Sequence, residues 1–389
     1  MTPNGGTFCK NEYHSCRRRV RLKIVSLTVA SLIVMVLSLT IGQYHTTFVR
    51  VFEILYSCII GGEVTPIERY VIWDLKLPRA LMGAIVGAAL GVSGTCMQGV
   101  LRNPLADPFT TGISSGASFG ATIAILYGFT FIPGLGYQES IVVDAFVFSM
   151  IPIAVIVVAS VVKRMTPASS ILVGISIMFI FSSTTSLMKL LADPTDLEEV
   201  YIWGVGTLGK ATWNNIWIVA TISIACCLAI GLASGKLNVL ASGDKLSHSL
   251  GVDPSKTRTL LLVTVAVMTA TSVSFTGPIG FVGLVTPHLC RILLTSNNKY
   301  LIPASAAMGA LVTLLADCAS QSISAVYLPV GSVTALFGGP FFVYLLLHNK
   351  HRRRGAFACK HSSILDASRN LCRISSFRIL QTHIREKQK

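Results

Sequence analysis

The chain has 389 residues, of which 52% are hydrophobic and 13% charged, and its mean hydropathy is +0.66. One soluble core could not bury that much apolar surface, so the composition excludes a water-soluble globular protein and predicts an integral membrane protein. The formal net charge of +15 does not indicate a nucleic-acid groove, because the excess lies in segments predicted to face an anionic membrane leaflet. We therefore expect a lipid bilayer and no nucleic acid as a partner.

Ten apolar runs of roughly 20 residues, bounded by charge, proline or glycine, predict an all-α polytopic fold with about ten transmembrane helices. The runs are 22–42, 78–101, 112–132, 141–162, 169–191, 213–234, 257–276, 279–294, 301–325 and 331–347. The first run lacks a small-residue cleavage site and predicts an uncleaved span. Phe48–Ile60 is too short to cross and predicts an external surface helix. The run 279–294 is short and carries His288 and Arg291, so we expect it to cross only partly.

Lys and Arg concentrate in the connections that lie inside when the N-terminus is cytoplasmic, whereas Asp and Glu concentrate outside. The positive-inside rule therefore predicts a multi-pass protein of the cell membrane with both termini cytoplasmic. In this organisation a basic cytoplasmic segment, 1–21, precedes the membrane domain, 22–347. A basic tail, 348–389, follows it, and its composition predicts a solvated or lipid-associated segment.

Small residues recur in the second and third spans, where close approach of helices supplies packing energy in lipid. They are Gly83, Gly87, Gly91, Gly94, Gly112, Gly116 and Gly120. A second glycine-rich entry at 277–284 lies on the opposite side of the membrane in the ten-span order. This predicts an inverted repeat of spans 2–5 and 7–10. The third-span glycines precede no Gly-Lys-Ser or Gly-Lys-Thr, so any ATP would be bound by a partner.

Ionisable residues inside the spans are few. Burying the charge of Asp317 in the ninth span would cost on the order of 3 kcal/mol, so it needs a partner, for which His288 and Arg291 are the candidates. A structural polar clasp of Asp317 with one of these residues near the cytoplasmic end is favoured over a proton relay or substrate ligand, and Asn103 is likewise expected to be a structural polar residue. Sparse cysteines and histidines, mostly in spans or termini, predict neither a metal site nor a cofactor.

The connection 236–258 is the longest predicted cytoplasmic link between spans, and the loop 237–251 lies within it. Its leucines, Leu237, Leu240, Leu246 and Leu250, are interrupted by Gly243 and Gly251, a pattern that predicts two short surface helices. Their apolar face could dock a partner or pack against the membrane domain itself.

Several motifs in chain order resemble the FecCD-type permeases, the membrane subunits of ABC importers for iron-siderophore complexes, haem and cobalamin. They are Leu77-Pro78-Arg79, Gln98, Arg102-Asn103-Pro104-Leu105-Ala106, Gly112 to Ala117, Leu237-Asn238 to Val252, Gly280-Phe281-Val282-Gly283-Leu284 with Pro287-His288 and Arg291, Ala316-Asp317, and Leu328-Pro329-Val330-Gly331 to Phe342. The resemblance runs from about residue 25 to 347.

The resemblance implies a non-catalytic subunit that translocates cargo by alternating access. Its partners would be ATP-binding cassette ATPase subunits, an extracytoplasmic substrate-binding protein, and a second permease subunit, either the same chain or a sister permease. Ferric siderophore is the first expectation for the cargo, with haem and cobalamin behind it.

By the same resemblance, three groups of residues acquire roles. The residues expected to couple to the ATPase are Leu237, Leu240, Gly243, Asp244, Leu250 and Gly251. Those expected to dock the binding protein are Lys76 and Arg79. The translocation path is expected to include Ser182, Ser183, Thr184 and Ser186. Gln321 and Tyr327 depart from the Arg and Glu usual in the family's last outer loop. Arg79 is therefore the docking residue that the pattern supports best.

Two functions of other classes stay open on sequence alone. A secondary transporter or channel would work without an ATPase, although intramembrane ionisable residues are sparse. A membrane hydrolase would have to use His288 and Asp317, but the chain has no His-Glu-x-x-His motif.

Overall fold

The computed structural model describes residues 5–42, 44, 46–163, 166–323, 328–345 and 347, and the side chains of these residues from 18 onward except 161 and 163. The basic tail 348–389, Tyr327 and the side chains of most of the segment 1–21 lie outside this part of the chain. Within it the chain is helical and contains no strand, which confirms the predicted all-α class.

Fifteen α-helices and one π-helical segment follow one another in the described chain. They are α1 (Gly5–Ser38), α2 (Phe48–Ile60), α3 (Pro66–Arg69), the π-helix Tyr70–Lys76, α4 (Leu77–Val100), α5 (Ile113–Tyr127), α6 (Tyr137–Lys163), α7 (Pro167–Leu190), α8 (Pro194–Val205), α9 (Trp213–Leu232), α10 (Ser234–Ala241), α11 (Asp244–Ser249), α12 (Pro254–Thr276), α13 (Val282–Leu293), α14 (Asn298–Ser322) and α15 (Val330–Leu345). Each of the ten predicted spans falls on one helix, and the predicted surface helix is α2.

Seven helical stretches of the described chain are long and apolar enough to cross a membrane, whereas α5, α13 and α15 are shorter. The 12 residues of α13 extend about 18 Å, less than the roughly 30 Å of a hydrocarbon core. This agrees with the partial crossing expected for 279–294. Both α5 and α13 begin after a residue in the left-handed region, Gly112 (φ 87°) and Phe281 (φ 65°), so each short helix follows a sharp reversal of the chain.

The centre of the bundle is α4, whose apolar window is 78% buried. A Cβ atom on Gly87 would collide with the carbonyl oxygen of Gly309, and one on Gly94 with that of Gly283. Backbone therefore packs directly on backbone where α4 meets α14 and α13, as small-residue packing in membranes requires.

Helix pairing follows the predicted repeat. When α4 to α7 are matched to α12 to α15, the contact of α4 with α14 corresponds to that of α12 with α6, and the contact of α4 with α13 to that of α12 with α5. The same matching relates the pair α5 and α6 to α13 and α14. The packing thus has the pairwise pattern of two related halves.

Other helices leave most of their apolar surface open. Only 6% of the apolar window of α1, 17% of α7 and 22% of α9 is buried within the chain. In a bilayer such faces contact lipid or another subunit.

Candidate functional site

An ion pair lies at the start of α4. The Arg79 guanidinium donates to the Asp317 carboxylate, with Nε–Oδ1 at 2.9 Å and Nη2–Oδ1 at 2.8 Å. Gln321, one turn further along α14, donates to the other oxygen of Asp317 at 2.7 Å. Because the Asp317 side chain is only 1% exposed, this pair neutralises a charge that the bundle could not otherwise hold.

The expected partner of Asp317 was therefore wrong. Arg291 donates instead to the side-chain oxygen of Gln98, and Arg79 takes the position assigned to His288 or Arg291. The expected place was wrong as well. Arg79 lies at the opposite end of α4 from the coupling loop, about 33 Å from Leu101 at 1.5 Å per residue, so the clasp lies at the predicted outer end.

Lys76 also turns its charge inward. Its Nζ donates to the backbone oxygens of Leu39 and Tyr44, both at 3.0 Å, and the residue is 9% exposed. The ammonium thus caps the end of α1 at the last residue of the π-helical segment. A direct contact between Lys76 and a docked protein does not fit this geometry, which corrects the sequence interpretation.

At the other end of α4, the loop 237–251, called the coupling segment below, contains α10 and α11. Leu237 and Leu240 are fully buried and belong to the core that includes Val100 and Leu261. They therefore anchor α10 to the bundle, so of the two possibilities left open by the sequence these two leucines pack against the membrane domain itself. The exposed leucines are Leu246 (48%) and Leu250 (59%).

Asp244, the first residue of α11, joins the coupling segment to two central helices. Its Oδ1 accepts from Arg102 Nη2 at 2.6 Å, just after α4, and from Arg258 Nη2 at 2.9 Å, in α12. Arg102 adopts a positive φ of 49°, which is uncommon for a residue with a side chain. Gly243, with φ 116°, makes the turn that places Asp244 between the two arginines.

A second fastening holds α10 to the start of α14. The side-chain oxygen of Asn238 accepts from the backbone N and from Nδ2 of Asn298, both at 2.9 Å, and its Nδ2 donates to Asn297 at 3.0 Å. The coupling segment is thus attached to α4, α12 and α14 at once.

The loop between α4 and α5 is closed by its own polar groups. The Asn103 side chain accepts from the backbone N of Leu105 at 2.9 Å. Asp107 accepts from the backbone N of Thr110 at 2.9 Å. Burial raises the pKa of Asp107 to about 6, and the hydrogen bonds from Thr110 offset part of that increase.

The predicted path residues divide between two faces of α7. Ser182 and Ser186 line a groove between α5 and α7 with a volume of about 580 Å³. Ser183 and Thr184 do not line it, and the hydroxyl of Thr184 donates to the backbone oxygen of Ile180 in its own helix at 2.9 Å.

Comparison with known proteins decides the family. The model of the FecCD transport family matches residues 30–348. The chain belongs to the FecCD transport family. It is 36% identical to the hemin transport system permease protein HmuU of Yersinia pestis over 286 residues, which is 73% of this chain and 85% of the relative. It is 33% identical to the Fe(3+)-citrate import system permease protein YfmD of Bacillus subtilis over 340 residues, or 86% and 97% of the two chains.

A solved inward-facing structure, described as that of a metal-chelate type ABC transporter, has a TM-score of 0.74 and 30% sequence identity to the chain. The match covers 84% of this chain and 98% of that one. This FecCD family chain is therefore a multi-pass membrane permease of an ABC importer.

The sequence interpretation missed three features of this FecCD permease. The bridging position of Asp244 between two arginines depends on a fold that brings together residues 142 and 14 positions apart. Lys189 lines the groove with Ser182 and Ser186, and their spacing of four and three residues could have placed them on one helix face. The π-helical segment before α4 gave no signal in the apolar pattern.

Proposed function

We propose that this protein is the permease subunit of an ATP-driven importer that translocates iron complexes, with ferric siderophores as the first class of cargo. Haem and cobalamin are the alternatives within the family. Relatives named for hemin, ferric citrate, vitamin B12 and molybdate import support a chelated or anionic metal species in general. Cobalamin importers outnumber iron importers among these relatives, so the preference for iron rests on the resemblance of the sequence motifs to the iron-siderophore permeases.

The observation that carries the mechanism is the three-way attachment of the coupling segment. Leu246 on α11 and Leu250 directly after it offer an exposed apolar contact to an ATPase subunit, while Asp244 ties the same helix to Arg102 and Arg258. A push on α11 would thus reach α4 and α12 through short charge-assisted hydrogen bonds, which hold geometry better than neutral ones. Closure of ATP-loaded subunits would then rock the two halves between outward and inward access.

The exposed surfaces of the chain indicate where a second permease subunit and a substrate-binding protein would bind. The open faces of α7 and α9 suit a second permease subunit, the same chain or a sister, with the path between them. A substrate-binding protein would dock at the predicted outer end, where the Arg79 side chain remains 13% exposed. Lys76 is not included, because its ammonium is held by Leu39 and Tyr44.

Coupling is tested by substitution of an exposed leucine in the reconstituted importer. L250D removes the apolar contact without touching the core, so we expect ATP-driven uptake in vesicles to fall at least about tenfold, equivalent to roughly 1.4 kcal/mol. L250M keeps the contact apolar and is the matched control. Undiminished uptake by L250D, with L250M unchanged, would count against the coupling role.

The alternative of another class is a secondary transporter. It predicts uptake by the purified chain alone, driven by an ion gradient. Uptake that requires both ATP and the ATPase subunits excludes this alternative.

A further inference from the structure

The groove between α5 and α7 has a regular lining. On α7 the residues that face it follow one helical stripe from Ile175 to Lys189, which spans about 21 Å at 1.5 Å per residue. On α5 the lining residues are Ser114, Ser115 and Ser118. The groove therefore extends from mid-helix to the predicted outer end of the membrane domain.

Two of the hydroxyl groups along this groove lack a partner within the described chain. Ser114 is 5% exposed and Thr185 7% exposed, and neither side-chain oxygen makes a hydrogen bond to another described residue. Buried polar groups are almost always hydrogen-bonded in folded proteins. Two orphaned hydroxyls in the lining of one groove point to a ligand or water that satisfies them.

The charge that lines the groove is positive. Among the described residues that line it, Lys189 is the charged one, and no carboxylate is present. The Lys189 ammonium lies 4.6 Å from the centre of the Tyr201 ring, and no ion pair joins it to a described acidic residue. A hydroxyl-lined groove with a cation at its predicted outer end suits a ligand with negative charge and hydrogen-bond acceptors.

We propose that this groove contacts the cargo and selects for an anionic one, whose carboxylate or oxyanion groups approach Lys189 while the hydroxyl of Thr185, one helical turn away, donates to it. The inference rests on the proposed function and narrows it, because an uncharged cobalamin would gain nothing from the lysine. The aromatic residues Phe109 and Phe179 at the same groove would cover the less polar part of a chelate.

Direct binding to the permease in lipid nanodiscs tests the proposal. Three probes separate the chemistries: ferric citrate as a carboxylate chelate, molybdate as an oxyanion, and cobalamin as an uncharged metal complex. We expect the wild type to bind at least one of the two anions more tightly than cobalamin, with affinity that falls as salt rises. Equal or tighter binding of cobalamin, or no binding of either anion, would overturn the proposal.

Variants assign that binding to the groove. K189Q should weaken anion binding at least about fivefold, while K189R should retain it and K210Q, which removes a lysine outside the groove, should not change it. T185V keeps the side-chain shape and removes an orphaned hydroxyl, so it should weaken binding about threefold without lowering the melting temperature. Unchanged binding by both K189Q and T185V would refute the assignment, whatever their stability.

The proposed function has a separate readout. ATP-driven uptake by the wild-type importer tests whether the chain is an ABC permease at all. ATP-dependent uptake together with charge-independent binding would refute the groove proposal alone, whereas uptake without an ATPase would refute the proposed function.

Discussion

The pair of Arg79 and Asp317 allows a quantitative test of the outer end of the bundle. R79M leaves the Asp317 carboxylate, 1% exposed, with Gln321 as its remaining donor among the contacts described here. Removal of one partner of a buried pair costs about 3–5 kcal/mol. At about 2 °C per kcal/mol for a chain of this size, the melting temperature should fall by about 6–10 °C.

D317L should cost less, because Arg79 is 13% exposed at its side chain and keeps access to water. The double variant R79M/D317L removes both charges and fills the space with apolar groups, a replacement that is often neutral. Its melting temperature should lie within about 3 °C of the wild type. Thermal unfolding of the four proteins in one detergent completes the cycle. A double variant as unstable as the sum of the singles would refute the view that the two charges stabilise each other.

Two further predictions concern packing and pH. G94A places a methyl group against the backbone oxygen of Gly283, so it should lower the free energy of unfolding by about 3 kcal/mol and lower the melting temperature. The control is G235A, which has open space around its Cβ position and should be neutral or slightly stabilising. Because the folded pKa of Asp107 is about 6, above its ordinary value of 3.8, the fold loses about 3 kcal/mol as pH rises from 4 to 6. D107N should abolish that decline and melt above the wild type at pH 7.5, and a parallel pH dependence of the two melting temperatures would contradict the assignment.

The pattern of apolar residues in the sequence was sufficient to predict where the membrane helices lie. Each predicted span corresponds to one helix, because in a bilayer the length and hydrophobicity of a segment decide whether it crosses. The glycines of the second span predicted close packing, and Gly87 and Gly94 do contact backbone directly. The pattern could not show which helix each of these glycines contacts.

The sequence was least informative about which neighbour each side chain contacts. Leucines at helical spacing predict an apolar face, but the sequence does not say whether that face meets a partner or the chain itself; Leu237 and Leu240 meet the chain. The partner of Asp317 lies 238 residues earlier, a separation that no local pattern spans. Lys76 was assigned to docking by the family resemblance, yet at the end of the π-helical segment its ammonium donates to backbone oxygens at the end of α1.

The central claim is that a separate ATPase drives the chain through the coupling segment. The most direct test is cargo accumulation in vesicles that contain the permease, the ATPase subunits and the binding protein, compared with vesicles that contain the permease alone. We expect accumulation that requires ATP and the ATPase, and for D244N, which weakens the link of α11 to Arg102 and Arg258, ATP hydrolysis with accumulation reduced at least about tenfold. Accumulation by the permease alone, or full accumulation by D244N, would contradict this account.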